Sequence, residues 1–209
     1  MPASTSSPST KRSTDAAEPD STVERILEAS LELFADIGVR KTTLEDVAKR
    51  AGVDRVTVYR RIGSKDDLVR EVTAREAQRV FMRVAQAASS TADPDERVVK
   101  VFTTLIRDIR GHALLSRLLQ TEPDTTLPKV TTEAGEMVAM AVHLAAEHIA
   151  PKHDTPHDLN AELARIEIVV RLVHSLCLTG PGVVDLSSEK KLAAFARDYV
   201  APIVNVHRA

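Results

Sequence analysis

Residues 38–65 read GVRKTTLEDVAKRAGVDRVTVYRRIGSK, and their reading decides the fold. Gly38 stands just past an amphipathic run, where a residue without Cβ can take the left-handed conformation that closes a helix. Thr42 and Thr43 offer hydroxyls to the unpaired amides of a new helix start. Thr43 and Asp46 have the three-residue spacing of a capping box, in its Asp form. Leu44, Val47 and Ala48 give that helix an apolar stripe. Gly52 makes a turn, and Asp54 caps a second helix over about Arg55–Ile62. Two short helices joined by a glycine-containing turn form a helix-turn-helix.

The second helix directs Val53, Val58 and Ile62 inward. It leaves Arg55, Val56, Thr57, Tyr59, Arg60 and Arg61 outside. Between Arg55 and Lys65 stand Arg55, Arg60, Arg61 and Lys65, with no acid among them. A cationic face that also carries short side chains suits a duplex, because Arg and Lys neutralise phosphates while short groups reach base edges. Arg40 or Lys49 taken alone reads as part of a solvated face. The caps, the turn glycine, the stripe and the charge all agree only for the whole stretch.

The charge distribution points the same way. The chain has a formal charge of −2. Residues 40–65 hold eight Lys/Arg against three Asp/Glu, while the segments on either side are net acidic. Positive charge confined to one segment is the footprint of a modular DNA binder.

At these residues the chain closely resembles the tetracycline-repressor (TetR) family of bacterial transcriptional regulators. The resemblance runs from about Arg25 to Leu68 through ILEASLELFADIG, TTLEDVAKRAGV and VYRRIGSKDDL. The family's pattern is met by Ser30 in a small-residue slot, Phe34, Gly38, Thr43, Val47-Ala48, Ala51-Gly52-Val53, Tyr59 and Lys65. Two departures stand out. Arg61-Ile62 replaces a frequent His-Phe pair, which keeps a phosphate donor and makes it permanently charged. Val56 fills a slot that is often Gly, Ala or Pro, and a valine there could touch a thymine methyl. The resemblance implies that Thr43, Tyr59, Arg61 and Lys65 grip phosphates, with Thr42 beside them. It implies that Arg55, Val56, Thr57 and Arg60 read or flank bases. Lys65 would add to the positive N-terminal end of the fourth helix.

Composition fits an all-α protein of 209 residues with 3% aromatics, seven glycines and no Trp. The expected architecture is a three-helix DNA-binding domain over 21–66, after a disordered Ser/Thr/Pro-rich tail over 1–20 in which Lys11 and Arg12 could form a weak arm. A helical ligand-binding and dimerisation domain over 67–209 completes about nine helices. Cys177 is the single cysteine, so no internal disulfide can form, which fits a reducing cytoplasm. No apolar run is long enough to span a bilayer, and the N-terminus lacks the core of a signal peptide.

Periodicity places a helix over Thr22–Ile37 and a long one from near Ser64 to about Ala88. Asp93-Pro94 starts another that ends at Gly111. A short helix covers Ala113–Leu119, and Thr121–Pro128, with two prolines, reads as a loop. Helices follow over Val130–Ile149 and Leu159–Leu178, separated by a break at Pro151–Pro156. The last runs from about Ser188, with Pro202 a kink or end.

The resemblance implies that Leu159–Leu178 and Ser188–Val204 pair with their symmetry mates in a homodimer. A palindromic double-stranded operator needs such a two-fold, with recognition helices about 34–36 Å apart or a multiple of that. The middle helices would enclose an effector site lined by Phe102, Leu105, Ile106, Ile109, Leu115, Leu118, Leu119, Met137, Met140, Ala141, Leu144, Val170 and His174. That apolar set points to a hydrophobic small molecule, and each member also fits ordinary core. No cofactor is expected. His143, His148, His153 and His157 have spacings poor for a metal and read as surface histidines. Cys177 could act as a redox sensor, but its ordinary reading is a small buried hydrophobe. No nucleophile–base pair or phosphate loop indicates an enzyme. The expected function is a repressor released by its ligand. The alternatives are an activator, a ligand-independent regulator, and an enzyme or carrier with a vestigial DNA head.

Overall fold

The computed structural model describes residues 18–150 and 158–205. The arm with Lys11 and Arg12, the break at Pro151–Pro156, and His153 and His157 lie outside the described residues. All regular structure among the described residues is helical: α1 (Glu18–Ile37), α2 (Leu44–Ala51), α3 (Arg55–Arg61), α4 (Lys65–Ser89), α5 (Pro94–Arg110), α6 (Ala113–Thr121), α7 (Pro123–Val130), α8 (Gly135–Ile149), α9 (Leu159–Leu178), α10 (Glu189–Phe195) and α11 (Ala201–Val204). A π-helical turn, Ala196–Val200, joins the last two.

The N-terminal helices pack around Ile26, Phe34, Val47 and Val58, all nearly inaccessible. Burial of each such side chain contributes about 1.5–3 kcal/mol. This core also takes in Leu68 and Val72 of α4 and Leu114 of α6. A second core holds Val84 and Ala88 of α4, Val98, Phe102 and Ile106 of α5, Val169 and Val173 of α9, and Val200 and Val204. The ring of Phe102 lies 5.9 Å from that of Phe195. Helix α4 therefore belongs to both cores, and its 25 residues span roughly 37 Å. A smaller apolar contact joins α8 to α9 through Val138, Val142 and Ile166.

Ion pairs fasten α1 to α4. Arg75 reaches Glu28 at 2.9 Å and also pairs with Glu24, and Arg79 reaches Glu28 at 2.9 Å and Glu76 at 2.8 Å. The Arg79 guanidinium holds the Glu28 carboxyl below the usual range, with Arg75 helping. His112 Nε2 stands 3.3 Å from Glu76, while its Nδ1 accepts the Leu115 N–H at the start of α6.

Two element boundaries differ from expectation. The segment read as a loop over Thr121–Pro128 is helical almost throughout, with α6 extending to Thr121 and α7 beginning at Pro123. Pro123 takes the first helical position, where its missing N–H costs nothing. Pro128 sits in the final turn of a helix so short that the missing bond does not stop it. The helix expected from Val130 begins instead at Gly135, after turns over 131–134. Near the C-terminus the π-helical turn Ala196–Val200 ends two residues before Pro202 and holds Asp198, the residue four back whose carbonyl a proline ring crowds in a regular helix; a widened turn relieves that clash.

Candidate nucleic-acid interface

The helix-turn-helix follows from local chemistry. Gly38 has φ +89° and Gly52 φ +66°, both in the left-handed region, and the Gly52 N–H donates to the carbonyls of Ala48 and Lys49. Thr43 and Asp46 form the capping box: the Asp46 N–H donates to Thr43 Oγ1 at 3.1 Å, and the Thr43 N–H donates to Asp46 Oδ2 at 3.0 Å. Asp54 caps α3 by accepting the Thr57 N–H at 2.7 Å. Ser64 and Asp67 form a second capping box at α4.

Val58 plugs α3 into the head with no accessible surface. At about 100° per residue, the direction opposite Val58 falls between Val56 and Arg60. Val56 is 72% exposed and Tyr59 67%, and Arg55, Arg60 and Arg61 are exposed as well. Tyr59 and Arg55 lie to one side of the exposed centre, and Thr57 and Arg61 to the other. Beside Thr57 and Arg61 a polar notch of about 670 Å³ runs between α1 and α3, walled by Ser21, Thr22, Arg25, Arg60 and Arg61.

Four of the expected contact residues are engaged within the head. The Thr43 hydroxyl donates to Asp46 Oδ2 at 2.6 Å. Thr42 is 1% exposed, and its hydroxyl donates to the Gly38 carbonyl at 2.8 Å. It braces the turn from inside and cannot reach a phosphate, which corrects its place on the contact surface. The Thr57 hydroxyl donates to Asp54 Oδ2 at 2.9 Å, which leaves it only acceptor capacity toward any other group. Lys65 Nζ donates to the Arg40 carbonyl at 3.0 Å. The N-termini of α2, α3 and α4 carry Asp46, Asp54 and Asp67, and hydrogen bonds from Thr43, Thr57 and Ser64 respectively hold each carboxyl below its usual range. Asp66 adds a further acid at α4. The positive end of α4 is thus already neutralised from within, so the grip on an anion falls to the Arg and Lys side chains.

Two contributors carry no sequence signal. Arg25 on α1 bonds the carbonyls that end α2. Glu122, between α6 and α7, accepts the Arg40 N–H at 2.9 Å and lies 3.6 Å from Arg40 Nε. These pairs join residues 26 and 82 positions apart, beyond any periodicity.

The residues expected around an effector are dispersed. Phe102 and Ile106 are core, and Leu105 and Ile109 pack at its edge. Ile109, Leu115 and Leu118 line an apolar cleft of about 220 Å³ between α4 and α6, which also includes Val80, Leu114 and His112. Leu119, Ala141, Leu144 and Val170 are half-buried. Met137 and Met140 are exposed on α8 rather than enclosed. Nε2 of His174 is bonded to the Val130 carbonyl at 2.6 Å. No group of described residues is arranged to hold a metal ion, and no described helix is long and apolar enough to cross a membrane.

Comparison with known proteins agrees with this geometry. Residues 26–72 match the family described as bacterial regulatory proteins, tetR family. The chain is 30% identical over 182 residues to an uncharacterized HTH-type transcriptional regulator of Mycobacterium tuberculosis, covering 87% of this chain and 84% of that one. It is 27% identical over 152 residues to the HTH-type transcriptional repressor KstR2 of Mycolicibacterium smegmatis, covering 70% and 74%. Among solved structures, the TetR family repressor AlkX from a Dietzia strain aligns with a TM-score of 0.58 at 18% identity, covering 86% and 93%. That likeness is one of fold.

Proposed function

Because this chain belongs to the TetR family of bacterial regulatory proteins, we propose that it is a ligand-responsive repressor that binds a palindromic operator as a homodimer. It is a DNA-binding transcriptional regulator; the repressor role, the dimer and the ligand are the reading advanced here. The observation that carries it is α3, a helix plugged by Val58 whose whole outer face is Arg, Val, Tyr and Thr. Val56 and Arg60 face the centre of a major groove, Arg60 as a donor to guanine and Val56 against a thymine methyl. Arg55, Tyr59, Arg61, Thr43 and Lys65 contact the flanking backbone or base edges.

The dimer reading draws on α9 and the C-terminal helices. Ile168 is 55% exposed and Tyr199 62%, a surface better suited to a partner than to water. The effector reading draws on the apolar cleft between α4 and α6, whose residues Leu114 and Leu118 also pack in the head core. A small apolar molecule entering there would press on the head and change the operator affinity, and by linkage the operator would change the affinity for that molecule. The protein would act in the cytoplasm, with the chromosome.

The test is selection of fragments of the source genome by the purified protein at physiological salt. Recovery of one palindrome upstream of a gene supports the reading. Recovery of no sequence above background, with or without apolar compounds, defeats it. Transcription from the recovered promoter then separates repression from activation.

A further inference from the structure

Glu122 is the single residue between α6 and α7. Its backbone is held on both sides: its N–H donates to the Leu118 carbonyl at 2.8 Å, and its carbonyl accepts the Thr126 N–H at 3.0 Å. From this fixed point the side chain, 9% exposed, reaches out of the body and into the turn between α1 and α2. There Oε1 accepts the Arg40 N–H at 2.9 Å.

Arg40 is held from its other side as well, since Lys65 Nζ donates to its carbonyl at 3.0 Å. The amide of this residue is thus bonded to the body, and its carbonyl to the start of α4. The turn is otherwise closed by Thr42, whose N–H and hydroxyl both donate to the Gly38 carbonyl. It leads directly to Thr43 and the start of α2. A buried carboxylate needs bonded partners, and Arg40 supplies both the N–H at 2.9 Å and the guanidinium at 3.6 Å, so Glu122 ties the turn to the α6–α7 junction.

We infer that Glu122 is a positioning residue for operator binding: it fixes the turn that presents Thr43 and Lys65 to the duplex, and makes their placement follow the α6–α7 junction. The inference rests on the reading that these two residues and α3 contact DNA.

The sign of one measurement separates positioning from plain electrostatics. Removing an acid near a phosphate-binding surface tightens DNA binding through charge alone. Removing a positioning residue weakens it. Operator affinity of the full-length protein is measured by fluorescence anisotropy across a salt series, for the wild type, Glu122→Ala and Glu122→Gln. Circular dichroism gives the folded fraction of each. The Ala variant should bind roughly tenfold more weakly, the equivalent of one charge-assisted hydrogen bond, and its salt slope should fall by about one phosphate contact. The Gln variant keeps an acceptor for the Arg40 N–H and should recover most of the affinity. An Ala variant that binds as tightly as the wild type or tighter overturns the assignment, as does a loss that only tracks the unfolded fraction. A wild-type protein that selects no DNA overturns the DNA-binding reading itself, and the assignment with it.

Discussion

Arg25 on α1 donates to the Ala51 carbonyl through Nε at 3.2 Å and Nη2 at 2.6 Å, and Nη2 also reaches the Gly52 carbonyl at 3.1 Å. The guanidinium thereby caps the C-terminal end of α2, where carbonyls lack partners and the helix dipole favours a cation. The angle of the helix-turn-helix against α1 is set in part by this one side chain. Arg25→Met keeps much of the apolar stem and removes the donors. It should lower the unfolding free energy by about 1–2 kcal/mol, read by chemical denaturation. Arg25→Lys cannot reproduce a forked contact and should restore little of the loss.

The outer face of α3 should divide by role. Arg60→Ala should relax the preference for one operator base pair, at a cost of about 1–3 kcal/mol against the matched site and little against mismatched ones. Arg61→Ala should weaken all sequences alike and lower the salt slope by about one. Binding to a panel of single-base operator variants at several salt concentrations reads both effects. Equal behaviour of the two variants would remove the distinction.

Charge placed at the exposed Ile168 of α9 should part the proposed dimer. Ile168→Glu is expected to shift the mass seen by light scattering at micromolar concentration toward that of one chain. It should also weaken operator binding by at least about tenfold, because a lone recognition helix loses its second half-site. The single-chain thermal transition should survive.

Acid should loosen the head. Asp46, Asp54, Asp67 and Glu28 all have carboxyl pKa values lowered by hydrogen bonds in the fold. A lowered folded value means the stabilisation is complete above the unfolded value and is lost as pH falls through the folded one. The loss should therefore begin near about pH 4 and deepen below it. Asp54→Asn keeps an acceptor for the Thr57 N–H but cannot titrate, so its denaturation midpoint should fall less steeply between pH 5 and 3. A slope equal to that of the wild type would remove Asp54 from the titration.

Cys177 should be slow to react. Burial pushes its thiol up to about 11, so little thiolate exists at neutral pH. Mass spectrometry after iodoacetamide treatment at pH 7.5 should show an unmodified native chain and full alkylation in denaturant. Rapid native labelling would restore the redox-sensor reading.

The head was legible because its signals are local. Thr43 with Asp46, Asp54 with Thr57, Gly38 and Gly52 act within one helical turn, and each was found where spacing put it. Thr42 and Thr43 show the limit: both carry a capping hydroxyl, and only the backbone phase sends one inward to 1% exposure and leaves the other outside. Prolines misled at Pro123 and Pro128, since the same ring that breaks a long helix can open a short one. The body was less legible. A buried Phe102 and a pocket-lining phenylalanine have the same neighbours in sequence, and only packing tells them apart. Arg25 and Glu122 act across distances that no pattern in the chain records.

Leu114 belongs to the helix α6, yet it is buried in the core cluster that also holds Ile26, Phe34 and Val47. The DNA-reading unit is therefore not a cassette that can be cut at the start of α4 and grafted elsewhere. Transplanted onto an unrelated body, it would carry an open seat where Leu114 had been. A chimera that keeps its specificity would need that seat refilled by a leucine from the new host.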